Sequence, residues 1–238
     1  MPASTSHATA HAGVIDEQAL ARLRALDTAA LSDAMDSLGM PCVLSGIQAQ
    51  VPGATVAGIA FTVTYRPIDP AVTGFRNAAN YIDDVPAGSV IVVDNAGSTK
   101  CTTWGGLLTS VARRREIAGT VIHGSARDVR EIREHNYPLF STAVRMVSGK
   151  NRVELASTGE DVLIGSVRVR AGDVVVADDN GAIVIPCDYV IDVINRAEQV
   201  ERTEELISRA AESGLRLDEA RRQFRYDRPW DGADRPRA

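Results

Sequence analysis

The chain has 238 residues, 45% hydrophobic and 24% charged, with a formal net charge of -5 and a pI near 5.4. This composition is typical of a globular protein and excludes disordered and fibrous classes, and the acidic balance disfavours binding to nucleic acid phosphates. No apolar run approaches the roughly 20 residues that span a bilayer, and the start of the chain lacks signal-peptide features. We therefore expect a cytoplasmic protein that binds neither nucleic acid nor membrane.

The sequence divides into one domain and two terminal segments. Residues 1–13 are small and polar, which predicts a disordered tail. Residues 14–213 contain no linker or repeat and predict a single domain. Residues 214–238 form a C-terminal extension in which Tyr226 and Trp230 offer a means of docking on a neighbouring subunit.

The first part of the domain predicts a helix and a strand. Residues 31–38 place apolar side chains at i, i+3, i+4 and i+7, with Thr28 as a candidate cap and Gly39 at the end, which predicts a core helix. Residues 55–65 are β-branched and alternating, which predicts a strand.

The central segment predicts a strand, a helix, a second strand and a second helix. The continuous apolar runs at 89–94 and 120–123 are typical of buried strands, and helical patterns follow them at 104–118 and 126–135. Such a βαβ unit implies parallel strands that are buried on both faces and joined by a right-handed crossover.

The second half of the domain is rich in predicted strands. Alternating residues from 166 to 186 contain an Asn180-Gly181 hairpin signal, and a long amphipathic helix follows at about 188–213. The predicted fold class is mixed α/β, with a central βαβ unit and a β-rich second half.

Two strand ends carry the candidate chemistry. The run from Gly105 to Leu108 starts one helix with little side-chain bulk, so that a carboxylate could approach its free N–H groups. Arg127 and Asp128 open the next helix. Because ligands of open α/β sheets bind at the carboxyl ends of the strands, these residues suit a small oxyacid bound together with a divalent metal.

Structural explanations of the same residues stay open at this point. A Gly105-Gly106 pair commonly serves helix starts and packing. Arg127 and Glu131 are four residues apart and could form a surface ion pair worth about 0.2–0.5 kcal/mol. Asp128 could simply complement the helix dipole.

A family resemblance lies in residues 94–140, which read DNAGSTKCTTWGGLLTSVARRREIAGTVIHGSARDVREIREHNYPLF. This block resembles the central motif of the family that contains the regulator of ribonuclease activity A (RraA) and the class II 4-hydroxy-4-methyl-2-oxoglutarate/4-carboxy-4-hydroxy-2-oxoadipate aldolases. The segments LDTAALSDAMDSLG and GAIVIP are also similar, so that the resemblance covers roughly residues 26–210. It implies the RraA-like fold, a swivelling β/β/α domain, assembled as a homotrimer or hexamer.

The resemblance also implies the roles of the site residues. In the aldolases, Mg²⁺ or Mn²⁺ binds the keto and carboxylate oxygens of a pyruvyl substrate. Asp128 would be the direct metal ligand, and Glu131 stands where the aldolases carry a further acid of the site. Arg127 would contact the pyruvyl oxygens and stabilise the enolate. The helix start would hold the substrate carboxylate, through Gly105, Gly106, Leu107 and Leu108.

A glutamate of the long C-terminal helix completes the implied site. In the family this residue reaches into the site of a neighbouring subunit and binds a metal-bound water. The resemblance places it at Glu204, with Glu201 as the nearest competitor. Most other charged residues of this helix are explained by a helix face that is exposed to solvent.

Two residues depart from the family pattern. Gly106 stands where the family usually has an acid. The family also usually reads Val-Ile-Asp-Gly before the second loop, and this chain has His123 in place of that aspartate. With an ordinary pKa near 6.5, His123 could relay a proton, although a histidine at a strand end is more often structural. These changes leave room for a different substrate or reaction.

The sequence therefore predicts a divalent-metal-dependent lyase. It would cleave a 4-hydroxy-2-oxo diacid to pyruvate or decarboxylate oxaloacetate, with the enolate protonated by a metal-bound water or by His123. Two alternatives remain: a non-catalytic regulator that binds an enzyme partner such as a ribonuclease, and a metal-dependent hydrolase or other lyase with His123 as base.

Overall fold

The computed structural model describes residues 15–69, 71 and 79–231, so that the predicted tail at residues 1–13 lies outside the described part. Its α-helices are α1 (Glu17–Ala25), α2 (Thr28–Ser37), α3 (Gly106–Arg114), α4 (Val129–Glu134), α5 (Val190–Glu212) and α6 (Leu217–Gln223). Its strands are β1 (Gln48–Ala49), β2 (Val56–Pro67), β3 (Val90–Asp94), β4 (Thr102–Trp104), β5 (Gly119–Ala126), β6 (Leu139–Val144), β7 (Val153–Thr158), β8 (Val162–Ile164), β9 (Val167–Val169), β10 (Val174–Asp178) and β11 (Gly181–Ile185).

Parallel strands form the centre of the main sheet, and the apolar runs predicted two of them, β3 and β5. Strands β2, β3, β5 and β6 are neighbours in that order and all run parallel. Residues 90–93 of β3 are fully buried, because the strand is covered on both faces. The β3–α3–β5 unit is the predicted βαβ unit, and the carboxyl ends of β3 and β5 lie at the same edge of the sheet.

Antiparallel strands extend this centre on both sides. On one side β10 pairs with β2 and β11 pairs with β10, joined by the predicted hairpin next to Asn180. On the other side β1 pairs with β6. The segment just before β1 returns to β11, where Val43 bridges Ile183. The sheet is therefore nearly closed, and the predicted α/β class with a β-rich second half is confirmed.

Helices α1, α2 and α5 pack against β10 and β11 in one apolar cluster. Leu31, Ala34 and Met35 of α2 are fully buried, as their spacing predicted. The cap of α2 is Asp27 and not Thr28: the Asp27 carboxylate accepts the Ala30 N–H at 2.7 Å. Asp27 is the cap because the N-cap residue lies just outside the helix, and Thr28 is already the first residue of α2.

The C-terminal extension folds back along α5. The Trp230 ring is partly buried against the α1–α2–α5 cluster, and the Arg196 guanidinium lies 5.7 Å from its centre. Trp230 thus packs on its own chain, and docking on a neighbour stays a prediction. Within the described residues, no helix has the length and apolar character needed to cross a membrane.

Candidate active site

The short strand β4 places the start of α3 beside the end of β5. Trp104 pairs with Ala126 in parallel register, and its carbonyl accepts the Arg127 N–H at 3.0 Å. The predicted helix was wrong at its start. Pairing with β5 holds Trp104 in a strand, and α3 begins only at Gly106. This pairing brings the two predicted strand ends together.

The Trp104 side chain fixes this junction. It is 2% exposed and stacks on Tyr137 with ring centres 6.0 Å apart. Its indole N–H donates to the Thr109 hydroxyl at 2.9 Å, and both groups are buried. A buried indole needs an acceptor, so that this bond ties β4 to the first turns of α3.

Asp128 is held in an unusual backbone conformation that directs its carboxylate to α3. Its φ of 57° and ψ of 29° lie in the left-handed region, which is uncommon for a residue other than glycine and is enriched at functional sites. Asp128 occupies the N-cap position of α4 but does not cap that helix. Instead its Oδ2 accepts the Gly106 N–H of α3 at 3.0 Å.

The two glycines at the start of α3 make room for carboxylates of the next helix. A β-carbon on Gly105 would lie 2.6 Å from Asp128 Oδ2, closer than real contacts allow. A β-carbon on Gly106 would collide with the carboxylate of Glu131. Asp128 and Glu131 therefore both reach the first turn of α3, and Glu131 fills the space beside Gly106.

A cavity of about 370 Å³ opens at this junction. Arg127, Asp128 and Gly105 form part of its wall, and Ser148 and Lys150 from the β6–β7 loop form another part. The cavity also has an apolar and aromatic lining, contributed by Tyr65, Trp104, Leu107, Leu108 and Val153. Its size and mixed lining are those of a small-molecule site.

Amide groups at the start of α3 remain open towards the cavity. The first N–H groups of a helix have no acceptor within the helix. The Asp128 carboxylate accepts the Gly106 N–H. The N–H groups of Leu107 and Leu108 have no protein acceptor in the part of the chain that the structure describes. Both residues line the cavity, so that their amides can receive an anion.

Arg127 is the cation of this wall. Its Nε lies 3.4 Å from Asp128 Oδ2, and its side chain is 41% exposed. The sequence left open a surface ion pair between Arg127 and Glu131. Among the described residues the Arg127 guanidinium pairs with Asp128 instead. The equivalent pair one turn away, Arg130 with Glu134 at 3.1 Å, does form on the helix surface.

The carboxylates fit a metal that is bound largely through water. Residues 15–69, 71 and 79–231 contain no group of three or more His, Cys, Asp or Glu side chains placed to hold a metal ion. Mg²⁺ commonly keeps several waters and binds proteins through only one or two carboxylates. Asp128 and Glu131, both at the first turn of α3, match that requirement.

His123 does not line the cavity. Its Nδ1 lies 2.9 Å from Asp94 Oδ1 at the end of β3, and a β-carbon on Gly97 would lie 2.9 Å from its Nε2. The ring is thus enclosed by the loop that follows β3. A role of His123 as proton relay or base stays a prediction.

Glu204 lies in a different cavity, of about 440 Å³, that also contains Asp33, Asp36 and Trp230. Partial burial, helped by the neighbouring carboxylates, raises the pKa of Glu204. The competitor Glu201 accepts the Asp27 N–H at 3.3 Å. Within one chain Glu204 does not share the cavity of Arg127, so that the implied catalytic role requires a second subunit and stays a prediction.

Comparison with known proteins decides the family. The sequence matches the RraA-like family, described as Aldolase/RraA, over residues 28–184. The chain belongs to the RraA-like family. Protein DlpA of Legionella pneumophila is 45% identical over 211 residues, 89% of this chain, and the chain spans about a third (34%) of DlpA. A 4-hydroxy-4-methyl-2-oxoglutarate aldolase of Thermus thermophilus is 30% identical over 109 residues, covering 44% of this chain and 63% of that protein.

Solved structures agree with the RraA-like fold. An uncharacterised protein from Pseudomonas syringae pv. tomato is 44% identical, with a TM-score of 0.81 over 87% of this chain and 98% of that one. Streptomyces coelicolor RraAS2, an unusual member of the RNase ES inhibitor RraA family, is 29% identical, with a TM-score of 0.75 over 82% and 98% of the two chains.

The RraA-like domain brings some predicted site residues together, and its cavity includes further residues that the sequence did not indicate. Arg127, Asp128 and Glu131 meet the start of α3, whereas His123 and Glu204 lie elsewhere in the chain. Ser148 and Lys150 were not predicted, because no local pattern shows that the β6–β7 loop reaches this cavity.

Proposed function

We propose that this RraA-like protein is a divalent-metal-dependent lyase that cleaves a 4-hydroxy-2-oxo diacid to pyruvate or decarboxylates oxaloacetate, acting as a homotrimer or hexamer. The observation that carries the proposal is the convergence of Arg127, Asp128 and the open amides of α3 on one cavity. These groups offer a fixed cation, a hard oxygen ligand and an anion cradle. The name of the Thermus thermophilus relative supports aldolase chemistry.

Arg127 has a defined task in both reactions. In retro-aldol cleavage the 4-hydroxyl loses its proton, C4 becomes a carbonyl carbon, and the electron pair of the C3–C4 bond passes to the 2-oxo oxygen as an enolate. In decarboxylation the same enolate forms as carbon dioxide leaves. A proton added at C3 then gives pyruvate. The Arg127 guanidinium places positive charge where the oxyanion develops.

The remaining groups bind and orient the substrate. The N–H groups of Leu107 and Leu108 would hold the carboxylate next to the 2-oxo group. Asp128 and Glu131 would hold Mg²⁺ or Mn²⁺, which when bound supplies Lewis-acid charge at the 2-oxo oxygen. The left-handed conformation of Asp128 keeps its carboxylate at the start of α3, so that the ligand that would hold the metal lies beside the amides that would hold the substrate carboxylate.

A screen of 2-oxo acids tests this proposal. Pyruvate release is followed through a coupled dehydrogenase, with oxaloacetate and several 4-hydroxy-2-oxo diacids, in magnesium and in chelator. We expect release from at least one acid in magnesium alone. A folded protein that releases no pyruvate from any of them contradicts the proposal.

A non-catalytic regulator is the second candidate, and Gly106 is the observation that favours it, because the acid usual at this position is missing. Calorimetry with Mg²⁺ and oxalate, an enolate mimic, separates the two. Metal-dependent oxalate binding that disappears in Arg127→Ala favours the enzyme. Absence of that binding in a folded wild-type protein favours the regulator.

A further inference from the structure

The β6–β7 loop contributes a part of the cavity wall that lies close against β4. Ser148, Gly149 and Lys150 line the cavity that contains Arg127 and Asp128. A β-carbon on Gly149 would collide with the Thr102 carbonyl, so that the loop is pressed against β4. The Lys150 N–H donates to the Ser148 hydroxyl at 3.1 Å. The backbone at Lys150 is therefore held by contacts on both sides.

Two further hydrogen bonds hold the β6–β7 loop. The Thr102 N–H donates to the Val147 carbonyl at 2.9 Å. The Arg152 guanidinium donates to the Ser148 carbonyl at 3.1 Å. The first bond connects the loop to β4, the same strand that positions Arg127, and the second joins two residues of the loop. Lys150 and Arg127 thus belong to one connected framework around the cavity.

Lysine is rare in this chain. Of 26 lysine and arginine residues, only Lys100 and Lys150 are lysines, and Lys150 is the one that lines the cavity. Among the described residues its ammonium group has no carboxylate partner, whereas Arg127 is paired with Asp128. Lys150 therefore adds to the cavity wall a second cationic residue, which has no carboxylate partner among the described residues.

We propose that Lys150 binds the remote carboxylate of a dicarboxylate substrate. This inference rests on the proposed function: Arg127 and the start of α3 take the 2-oxo acid end, and Lys150 takes the other end. A lysine suits this task because its compact charge on a four-carbon stem can follow carboxylates at different distances. The residue then sets the preference for diacids over monoacids.

Lysine labelling with an acylating reagent tests the contact directly. The full-length protein is labelled in Mg²⁺ alone, with pyruvate, and with 2-oxoglutarate as a diacid probe, and peptide masses give the rate at each lysine. We expect 2-oxoglutarate to slow labelling of Lys150 several-fold and pyruvate to leave it unchanged. Lys100 is the internal control and should react equally in all three.

The outcomes separate the two proposals. If calorimetry shows that 2-oxoglutarate binds while Lys150 is labelled at its free rate, the role of Lys150 is wrong and the lyase proposal stands. If neither acid binds in the presence of Mg²⁺, both proposals are contradicted.

Substitutions give an independent test. We expect Lys150→Met to weaken 2-oxoglutarate binding about tenfold, the loss of one charge-assisted contact, with pyruvate binding unchanged. Lys150→Arg should retain most of the affinity, and Lys100→Met should match the wild type. Equal weakening of both acids, or of neither, contradicts the assignment, and thermal melting shows whether each variant is folded.

Discussion

Gly105 is the position where a single methyl group should damage the site without straining the backbone. Its φ of -167° is extended backbone that any residue adopts, so that Gly105→Ala acts through contact alone. The new β-carbon would lie 2.6 Å from Asp128 Oδ2 and 3.1 Å from Arg127 Cγ. Both side chains must move, and the bond from Asp128 to the Gly106 N–H at 3.0 Å is lost or lengthened.

The size of the effect follows from these contacts. A hydrogen bond to a charged group contributes about 1.5–3 kcal/mol when buried, and Asp128 is 43% exposed, so that we expect a loss of only about 1 kcal/mol in the free energy of unfolding. Activity is more sensitive, because a displacement of about 1 Å at a reacting group can lower the rate about 100-fold.

The assay compares pyruvate release and thermal melting in Gly105→Ala and Gly172→Ala. Gly172 has a φ of 96° with open space around it and lies outside the cavity, so that alanine there should cost about 1–2 kcal/mol of stability through its backbone and leave activity intact. Gly105→Ala should instead lose activity about 100-fold. Wild-type activity in Gly105→Ala would refute the reasoning that Asp128 and Arg127 must stay where they are.

Three further substitutions follow from the same structure. Thr109→Val removes the acceptor of the buried Trp104 N–H and should lower the free energy of unfolding in urea by about 1–3 kcal/mol; an unchanged midpoint would contradict this role. Arg127→Lys should lower kcat at least about tenfold without changing Tm, because lysine cannot offer the planar guanidinium; full activity would argue against oxyanion contact. The pKa of Glu204 is raised above 4.5 in the folded chain. The carboxyl group therefore stays protonated to a higher pH in the folded state than in the unfolded state, and the free energy of unfolding falls as pH rises above 4.5. Glu204→Gln should therefore raise Tm at pH 7 but not at pH 4, and an equal change at both pH values would contradict this linkage.

Strands β2, β3, β5, β10 and β11 of the main sheet were predictable because their signals are local, whereas β1, β4, β6 and β7 were not predicted. The apolar run of β3 must be buried on both faces, and the amphipathic pattern after it can only cover such a strand as a helix. The hairpin beside Asn180 and the long helix α5 were equally local. Near closure of the sheet was not predictable, because it depends on the return of Val43 to Ile183, 140 residues later in the chain.

The candidate site was predictable in residue type but not in geometry. Nothing in the sequence indicates that β4 pairs with β5, and so the proximity of Gly105 to Arg127 could not be derived from spacing. Spacing also does not indicate that Asp128 adopts a left-handed conformation and accepts the Gly106 N–H of α3. Lys150 reaches the cavity only because Gly149 lets its loop press against β4.

Exchange of the methyl protons of pyruvate in heavy water tests the central claim most directly, because it reports enolate formation without knowledge of the distal half of the substrate. Proton NMR follows the methyl signal with Mg²⁺ and with chelator, in the wild type and in Arg127→Ala and Asp128→Asn. We predict magnesium-dependent exchange in the wild type that falls at least about 100-fold in both variants. Exchange no faster than in buffer, or equal rates in all three proteins, would contradict the assignment of this cavity as the site of enolate chemistry.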